Sequence, residues 1–333
     1  MARVTTYDIA LACGVSQATV DRALNNRSNI KKETRDQIIR TAAEMNYRPS
    51  SLPTYLKTGK TQTIGIIVPK AVPFYTELLG AVTKAAKMRN YHAMISFSEF
   101  NYVLEGEYLS EYLKTNVDGI IVFPVTDDGS EIKKIIQAGV PVVTLIRKIK
   151  NYNLDFVSVN YAKAAEKAIQ YLIDMGHREI GYFTIWDKSS NLYTYNERLR
   201  GIEIAMKRNG LFINPKHIIC DTDDYQLVHA LALKKELPTA LLCFNDLNAI
   251  GLISFLNSLD LKVPGDISLI SFDNIDMLRY FNPGITSISY PYDDIAETAI
   301  HLLLDRIENP SDEATIYLLE TQMVRRNSCR RMD

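Results

Sequence analysis

From residue 63 onward, short apolar runs alternate with longer stretches that have the periodicity of amphipathic helices. Runs such as TIGIIVP at 63–69, DGIIVFP at 118–124 and ISLISFDN at 267–274 are apolar almost throughout. Strands of this kind are buried on both faces, which is typical of parallel sheets that carry helices on both sides. Helical patterns lie between the runs, at 75–89, 161–175, 197–209, 246–258 and 293–308. The pattern therefore predicts an α/β architecture of doubly wound parallel sheets.

The α/β part of the chain is longer than one sheet of this kind normally holds, so it predicts two lobes. Doubly wound sheets bind ligands outside the carboxyl ends of their strands. These strand ends therefore mark the expected ligand site, and in this sequence they carry Pro69, Pro124, Arg147, Asn160, Asn245, Asp246 and Asp273.

The first 46 residues have no strand pattern and predict an all-α helix-turn-helix. Gly14 permits a tight turn with positive φ, and Ser16 is a suitable N-cap for a second helix. A third helix is expected from about Lys32 to Met45. In the second helix, three apolar residues would face inward: Val20, Ala23 and Leu24.

The outer face of this second helix would then present Gln17, Ala18, Asp21, Arg22 and Asn25. Gln can bond adenine, Arg can bond guanine, and the Ala methyl group can contact that of thymine. Residues 1–60 carry a net charge of +5 and the rest of the chain −6, which suits a basic head that meets a polyanion. An ordinary helical hairpin with a solvated basic face is the alternative interpretation.

Residues 47–61, YRPSSLPTYLKTGKT, have the composition of a linker, with two prolines among small polar residues. They separate the helical head from the α/β core, which would span 62–333. The sequence therefore predicts a head at 1–46, a hinge at 47–61 and a ligand-binding core.

The segment YDIALACGVSQATVDRALNN, followed by the spacer and NYRPSSLPTYLKTGKTQTIGIIVP, closely resembles the LacI family of bacterial transcriptional regulators. The blocks MGHREIGYF, ERLRGIEIAM, PTALLCFNDLNAIG, VPGDISLISFDN and RRNSC match family blocks in the same order. The resemblance implies a core like that of periplasmic sugar-binding proteins. Lobe 1 would comprise about 62–157 and 288–318, and lobe 2 about 158–287 and 319–333.

The resemblance also implies a homodimer that binds a pseudo-palindromic operator, with one second helix in the major groove of each half. On that basis Gln17, Ala18 and Arg22 would read bases, while Ser16, Thr19 and Asn25 would contact phosphates. Tyr7 stands at a family-matching position for a DNA contact, although it could simply pack.

Asp21 departs from the family, which usually has a small hydroxyl residue at this position. A carboxylate near phosphates would weaken all DNA binding, whereas one at a base edge can accept from a cytosine amino group. Alternatively, Asp21 could brace Arg22 or point into water. We expect a role in sequence specificity, direct or through Arg22.

In the family, the linker forms a short helix on the operator, and a leucine wedges a base step in the minor groove. Leu56 occupies that position, but Pro53 interrupts the usual pattern. With Ser50 or Ser51 as N-cap, the proline would fall in the first helical turn, which tolerates it. A hinge helix is therefore expected, and a plain tether is the alternative.

The effector site implied by the resemblance contains Arg198 in ERLRG, Asp273 in SFDN and Asn245 in FND. Arg supplies a fork of donors, and Asp can accept from two adjacent hydroxyl groups, which suits a sugar. Four aromatic residues are candidates for contacts with the sugar ring: Phe74, Tyr75, Trp186 and Tyr292.

Two family acids are missing from this cleft, because Ile146 and Asn160 stand where acidic residues are common. The chain gains Arg147 next to Ile146. These departures would suit an effector with an anionic group, such as a phosphorylated sugar. Alternatively, Arg147 could pair with a carboxylate of the cleft.

The sequence argues against an enzyme, a membrane protein and a metalloprotein. It has no HExxH or GxSxG motif, no CxxC pair and no apolar run of membrane-spanning length. Without a cofactor motif or a signal peptide, we expect a cytoplasmic, nucleoid-associated repressor dimer with reduced cysteines. A nucleoside, purine or phosphoprotein effector is the alternative to a sugar, and a solute-binding protein is a remote one.

Overall fold

The computed structural model describes residues 4–24, 30–47, 59–149, 152–185, 192–220, 225–311 and 313–332. The chain divides into two compact units. Residues Met1–Thr61 form the first, here called the head, and Gln62–Asp333 form the second, here called the core unit.

The described part of the head contains three helices, α1 (Thr6–Cys13), α2 (Gln17–Leu24) and α3 (Lys32–Glu44). A capping box starts α1, because the side chains of Thr5 and Asp8 each accept the other's backbone N–H. This arrangement confirms the predicted helix-turn-helix.

The turn between α1 and α2 depends on Gly14, which has a φ of 64° and donates its N–H to Ala10 and Leu11. Ser16 then caps α2, since its Oγ accepts from the Thr19 N–H at 3.2 Å. The side chains of Ile9, Val20 and Ile38, one from each helix, are fully buried and form the centre of a small apolar core.

The sheet of lobe 1 contains parallel strands in the order β11-β5-β4-β3-β1-β2. These strands are β1 (Thr63–Val68), β2 (His92–Phe97), β3 (Gly119–Val122), β4 (Val142–Leu145), β5 (Asp155–Val159) and β11 (Ile316–Leu319). Its helices are α4 (Pro73–Met88), α5 (Tyr102–Lys114), α6 (Ser130–Gln137) and α11 (Tyr292–Glu308).

Alternate residues of these strands pack on opposite faces of the sheet. Ile66 and Ile121 belong to the large core cluster that includes residues of α4 and α11. Ile67 and Ile120 belong to a separate cluster that includes residues of α5 and α6. Burial on both faces explains why the strand sequences lack polar alternation.

The sheet of lobe 2 has the order β12-β10-β9-β8-β6-β7 and is parallel except for β12. Its strands are β6 (Ile180–Thr184), β7 (Ile218–Cys220), β8 (Ala240–Cys243), β9 (Ser268–Asp273), β10 (Thr286–Ser289) and β12 (Gln322–Val324). Its helices are α7 (Tyr161–Asp174), α8 (Leu192–Arg208), α9 (Gln226–Leu233) and α10 (Asp246–Ser258). Within the described ranges, no helix is both long and apolar enough to cross a membrane.

The chain crosses between the lobes after β5, after β10 and between β11 and β12. Strand β5 runs to Val159 and β10 to Ser289, so both continue past the lobe limits predicted at 157 and 287. The run IYLLETQMV, which reads as one strand, forms two short strands in different sheets. Apolar pattern alone does not show where a strand changes sheets.

Helices α7 and α8 pack closely at Gly201, which lies in α8. A Cβ atom at this position would overlap the backbone carbonyl of Ala162 in α7. Gly80 in α4 provides a contrast, because no atom beyond its chain neighbours and its own helix backbone lies within 4 Å of the position that its Cβ would take.

We expect Gly201→Ala to lower the free energy of unfolding by roughly 1–3 kcal/mol, because the backbones of α7 and α8 must separate. Gly80→Ala should raise it by about 0.5–1 kcal/mol, because alanine has the better helix propensity. Urea unfolding at one fixed protein concentration measures both values. Equal effects of the two substitutions would contradict the close packing at Gly201.

Candidate DNA-reading helix and effector cleft

Helix α2 presents a polar outer face, as the sequence predicts. Gln17, Ala18, Asp21 and Arg22 are exposed, whereas the opposite side of the helix is buried against α1 and α3. Leu24, which the sequence predicts to face inward, is half-buried. The exposed side chains span the 8-residue helix, and a B-DNA major groove is wide enough to admit an α-helix.

Three further residues of the predicted DNA surface lie near this face. The hydroxyl groups of Ser16 and Thr19 are 2.8 Å apart and share a hydrogen bond at the start of α2. The Tyr7 side chain is 62% exposed, so it does not pack into the core of the head. The phosphate and base contacts proposed for these residues stay predictions. Asn25 and Leu56, together with Pro53 of the hinge, lie outside the described residues.

In the core unit, strand ends from both lobes surround a central cavity of about 40 Å³. This volume has room for little more than a water molecule, whereas small-molecule sites usually measure hundreds of cubic ångströms. The lobes are therefore closed on one another. The lining contains Val72, Pro73, Phe74, Tyr75, Ile146, Tyr161, Thr194, Arg198, Phe244, Asn245, Leu247, Asp273, Ile275 and Tyr290.

Arg198 projects from α8 into this cavity and is almost fully buried. Its guanidinium donates to the Phe244 carbonyl at 2.6 Å and to the Tyr290 hydroxyl at 2.8 Å. Its Cζ lies 4.3 Å from the ring centroid of Phe244 and 4.1 Å from that of Phe272. Cation–π contacts and these hydrogen bonds keep a charged group stable away from water.

Burial by itself would lower the pKa of Arg198, but Tyr290, Tyr182, Tyr161 and Asp273 raise it. The guanidinium is therefore charged at every physiological pH. Its Nε and the Oγ1 of Thr194, one helical turn earlier, are buried and have no hydrogen-bond partner among the described residues. Buried polar atoms are normally satisfied, so these two mark places for a ligand or water.

Asp273 ends β9 and faces the same cavity. Its backbone has a φ of 103°, which is unfavourable for any residue except glycine. Among the described residues, its carboxylate receives no hydrogen bond. Burial, and next the nearby charge of Asp246, raise the pKa of Asp273 well above its ordinary value, although Arg198 opposes this shift.

Asp246 holds the segment that follows Asp273. Its carboxylate accepts from the Oγ atoms of Ser271 and Ser287 and from the Ile275 N–H at 2.8 Å. Burial raises the pKa of Asp246 to about 6 in spite of these hydrogen bonds. The carboxylate thus ties β9 and β10 to the turn that carries Asp273.

Asn245 occupies the strand end before Asp246 and lines the cavity. Its side-chain oxygen accepts from the Asn248 N–H at 2.8 Å and caps α10. The amide nitrogen is therefore the group of Asn245 that can donate to a ligand.

An aromatic cluster closes the cavity from lobe 1 and the crossover segment. The ring of Phe74 lies 5.1 Å from Tyr75 and 5.1 Å from Tyr290, both in edge-to-face geometry. Tyr292 lies 6.0 Å from Phe74 and donates its hydroxyl to the Asp273 carbonyl at 3.1 Å. Tyr292 is absent from the lining, so it supports the site from behind rather than facing the cavity.

Arg147 is not at the central cavity. It lines a separate cavity of about 10 Å³ in lobe 1, and its guanidinium lies 3.6 Å from the Asp127 carboxylate. Tyr75 and Ile146 line both cavities, so the two adjoin, and the effector-binding role of Arg147 stays a prediction beside its pairing with Asp127. Asn160 caps α7 through the Lys163 N–H at 3.0 Å, and Trp186 lies outside the described residues.

Sequence reasoning did not select several lining residues, among them Tyr161, Thr194, Phe244 and Tyr290. Signals for them were present. Thr194 precedes Arg198 by one helical turn, so both side chains lie on one face of α8. Phe244 and Tyr290 directly follow β8 and β10, at the strand ends where ligands are expected.

Comparison with known proteins gives matches over both units. Residues 5–50 match the family model described as bacterial regulatory proteins, lacI family. Residues 169–329 match a periplasmic binding protein-like domain. The HTH-type transcriptional repressor PurR of Photobacterium profundum is 30% identical over 332 residues, which cover 97% of this chain and 98% of the relative.

Solved structures match the fold. The lac repressor dimer bound to operator and the anti-inducer ONPF has a TM-score of 0.85 at 22% identity, covering 99% of this chain and 100% of that chain. A LacI family regulator from Enterococcus faecium with bound ribose has a TM-score of 0.69 at 25% identity. It covers 81% of this chain and 100% of its own.

The environment of Asp273 predicts an effect of pH on stability. A carboxyl group whose pKa is raised by folding destabilises the folded state as pH rises above the unfolded pKa of about 4. Asp273→Asn should therefore raise the free energy of unfolding, and the gain should be larger at pH 7 than at pH 4.5. Urea unfolding at the two pH values tests this.

Asp155 is the matched control, since it is equally buried but paired. Its carboxylate accepts from Arg306 at 2.7 and 3.1 Å and from the Thr315 N–H at 2.7 Å. Asp155→Asn should lower the free energy of unfolding by roughly 3–5 kcal/mol, because a buried charge loses its partner. A loss of stability at pH 7 in both variants would show that the Asp273 charge is not a cost to folding.

Proposed function

The chain belongs to the LacI family of bacterial regulatory proteins and is a DNA-binding transcriptional repressor, not an enzyme; we propose that a sugar in its cleft controls operator binding. In this proposal the repressor binds a pseudo-palindromic operator as a homodimer. Its place of action is then the nucleoid, in the cytoplasm. The main observation that supports the assignment of the effector site is the buried Arg198 beside Asp273.

Operator reading is assigned to the outer face of α2. Gln17, Ala18 and Arg22 are exposed there and supply the amide, methyl and guanidinium groups that read base edges. Ser16 and Thr19 at the start of the helix, with Tyr7 and Asn25, are proposed to contact the DNA backbone. The net charge of +5 on residues 1–60 supports the attraction to DNA that does not depend on sequence.

A carbohydrate fits the chemistry of the central cavity. Arg198 and Asn245 provide N–H donors, and the Asp273 carboxylate has acceptor capacity for two adjacent hydroxyl groups. The Phe74 and Tyr75 rings supply apolar surface for the faces of a sugar ring. The Enterococcus faecium relative, which has bound ribose, supports the same class of ligand.

A flat nucleobase-like ligand is the second candidate, because the cavity is rich in aromatic rings. Phe74, Tyr75, Tyr161 and Tyr290 all line it, and such rings can stack on a planar heterocycle. Arg198 and Thr194 would then meet ring nitrogens and carbonyl groups. The two candidates differ in that only the sugar would bind Asp273 through two adjacent hydroxyl groups.

The closed cleft implies that effector binding requires motion. A cavity of about 40 Å³ cannot hold a sugar, so the lobes must separate, or the aromatic side chains must move, when the ligand enters. A ligand changes operator affinity only by the difference of its affinities for the two arrangements. The direction in which a bound ligand changes operator affinity shows which arrangement favours the operator.

The effector proposal is tested by operator binding in the presence of sugars, sugar phosphates, nucleobases and nucleosides at one salt concentration. We expect a sugar to shift the operator affinity of the parent, and Arg198→Ala and Asp273→Ala to abolish the shift. Asp273→Ala should keep the ligand-free operator affinity. Arg200→Ala is the control, since Arg200 is exposed on the same helix and pairs with Glu197. Fluorescence anisotropy of a labelled operator gives each affinity.

Variants at 198 and 273 that respond like the parent would contradict the assigned site. A response to nucleobases with none to sugars would replace the carbohydrate by the second candidate.

Leu56 is proposed to wedge a base step of the operator, in spite of Pro53. Leu56→Ala should reduce DNA bending and weaken the free energy of specific binding by roughly 1–3 kcal/mol, because the inserted side chain maintains the kink. Nonspecific affinity should change little. Energy transfer between dyes at the two operator ends measures the bend, and an unchanged bend would leave the hinge as a tether.

Asp21 is proposed to contribute to sequence specificity, either at a base edge or by orienting Arg22. Asp21→Ser should tighten nonspecific binding and steepen its salt dependence, because a repulsion from phosphates is removed. It should also relax the preference at one base pair per half-site by about 1–3 kcal/mol. Operators selected from a randomised pool compare the two proteins, and identical stringency at every position would exclude a reading role.

A further inference from the structure

The side chain of Gln17 forms a hydrogen bond that links the two helices of the helix-turn-helix. Its Nε2 donates to the Thr6 Oγ1 at 2.7 Å. Gln17 is the first residue of α2, and Thr6 is the first residue of α1. The contact therefore joins the beginnings of the two helices, at the edge of the exposed face of α2.

We infer that Thr6 is a specificity-determining residue: by holding the Gln17 amide in one orientation, it makes Gln17 select adenine at one base pair of each half-site. The inference rests on the proposed operator binding. Thr6 is a positioning residue in this assignment, because it acts on the base through Gln17.

Both partners of this hydrogen bond stand on backbone that local capping already fixes. The capping box of Thr5 and Asp8 sets the first turn of α1, with the Thr5 Oγ1 donating to Asp8 at 2.7 Å. The Ser16 cap sets the first turn of α2. The capping hydroxyl of α1 belongs to Thr5, which leaves the Thr6 hydroxyl for Gln17.

The chemistry of a primary amide explains why its orientation decides what it reads. An adenine presents an acceptor, N7, beside a donor, the N6 amino group, in the major groove. Gln matches this pair when its Oε1 and one N–H of Nε2 face the base together. Donating the other N–H to Thr6 holds the amide plane and keeps the oxygen and one N–H available.

A rotated amide would read a different base. If the Thr6 hydroxyl donated to Oε1 instead, both N–H groups of Gln17 would face the groove and would favour guanine, which offers two acceptors. In the structure the Nε2 donates to Thr6 instead, which is the orientation that fits adenine. This hydrogen bond also reduces the rotamer entropy that a long, exposed side chain loses when it binds.

The other exposed groups of α2 do not share this arrangement. Ala18 has no polar side-chain atom, and Arg22 carries a guanidinium, which favours guanine in any orientation. The ionised carboxylate of Asp21 can accept hydrogen bonds but cannot donate one. Gln17 is thus the residue of this face whose base preference depends on how its amide is held.

The experiment selects operators from a randomised pool with the full-length protein, at one salt concentration, and compares four variants. Gln17→Ala identifies the base pair that Gln17 reads. Thr6→Val, which replaces the hydroxyl with a methyl group of similar size, should weaken the adenine preference at that base pair by about two- to tenfold. Thr6→Ser keeps a hydroxyl group and should retain the parental preference.

The double variant Thr6→Val/Gln17→Ala should match Gln17→Ala at that base pair, because the threonine acts only through the glutamine. Far-UV circular dichroism and urea unfolding confirm that each variant is folded. The inference is overturned if Thr6→Val weakens binding to all sequences equally or alters a different base pair. It is also overturned if the preference that Gln17→Ala loses is one for guanine. A parental protein that enriches no consensus would instead overturn the proposed operator binding.

Discussion

A charged guanidinium buried between two lobes is the interaction on which the core unit depends. Arg198 is removed from water, and a charge in that position persists only if acceptors and ring faces replace its hydration. The Phe244 carbonyl at the end of β8 and the Tyr290 hydroxyl in the crossover segment supply acceptors, and Phe272 supplies a ring face. Because these groups come from different strands, the guanidinium fixes how the ends of the lobe 2 sheet meet the crossover to lobe 1.

Backbone strain collects at the same place. Ile146 at the end of β4 has a φ of 69°, and Asp273 at the end of β9 has a φ of 103°. Both residues line the central cavity, one from each lobe. Such conformations persist where surrounding contacts enforce them, and here Asp246 holds the turn after Asp273 with three hydrogen bonds. The Asp273 carboxylate, which accepts no hydrogen bond from the described part of the chain, is therefore kept in place by the neighbouring Asp246 carboxylate, which accepts three.

The fold of the head depends strongly on its helix caps. Its apolar core is small, so helix caps set much of its geometry. The Thr5–Asp8 capping box, the left-handed Gly14 and the Ser16 cap fix three consecutive features of the helix-turn-helix within a few residues. The exposed residues on the outer face of α2 therefore contribute little to the packing of the head. The same caps hold Thr6 and Gln17 opposite one another.

The sequence by itself determined the elements and the chemical types at the site. Near-continuous apolar runs required two-sided burial and hence parallel sheets. Gln17, Ala18, Asp21 and Arg22 lie on the predicted outer face of α2. Arg198, Asp273 and Phe74 were selected from the sequence and from its family resemblance, and they do line one cavity. These features depend on local periodicity, on strand ends and on short motifs, all of which a sequence displays.

Only the tertiary structure decided which side chains near the cleft face the cavity and which bind other residues of the protein. Arg147 and Ile146 are adjacent in the chain, yet Ile146 faces the central cavity while Arg147 turns to Asp127 in lobe 1. Tyr292 packs behind Phe74, whereas Tyr290, two residues earlier, meets Arg198. The choice in each case depends on partners far away in the sequence, because a buried charge or hydroxyl turns toward whichever group can satisfy it. No pattern within a single segment carries that information.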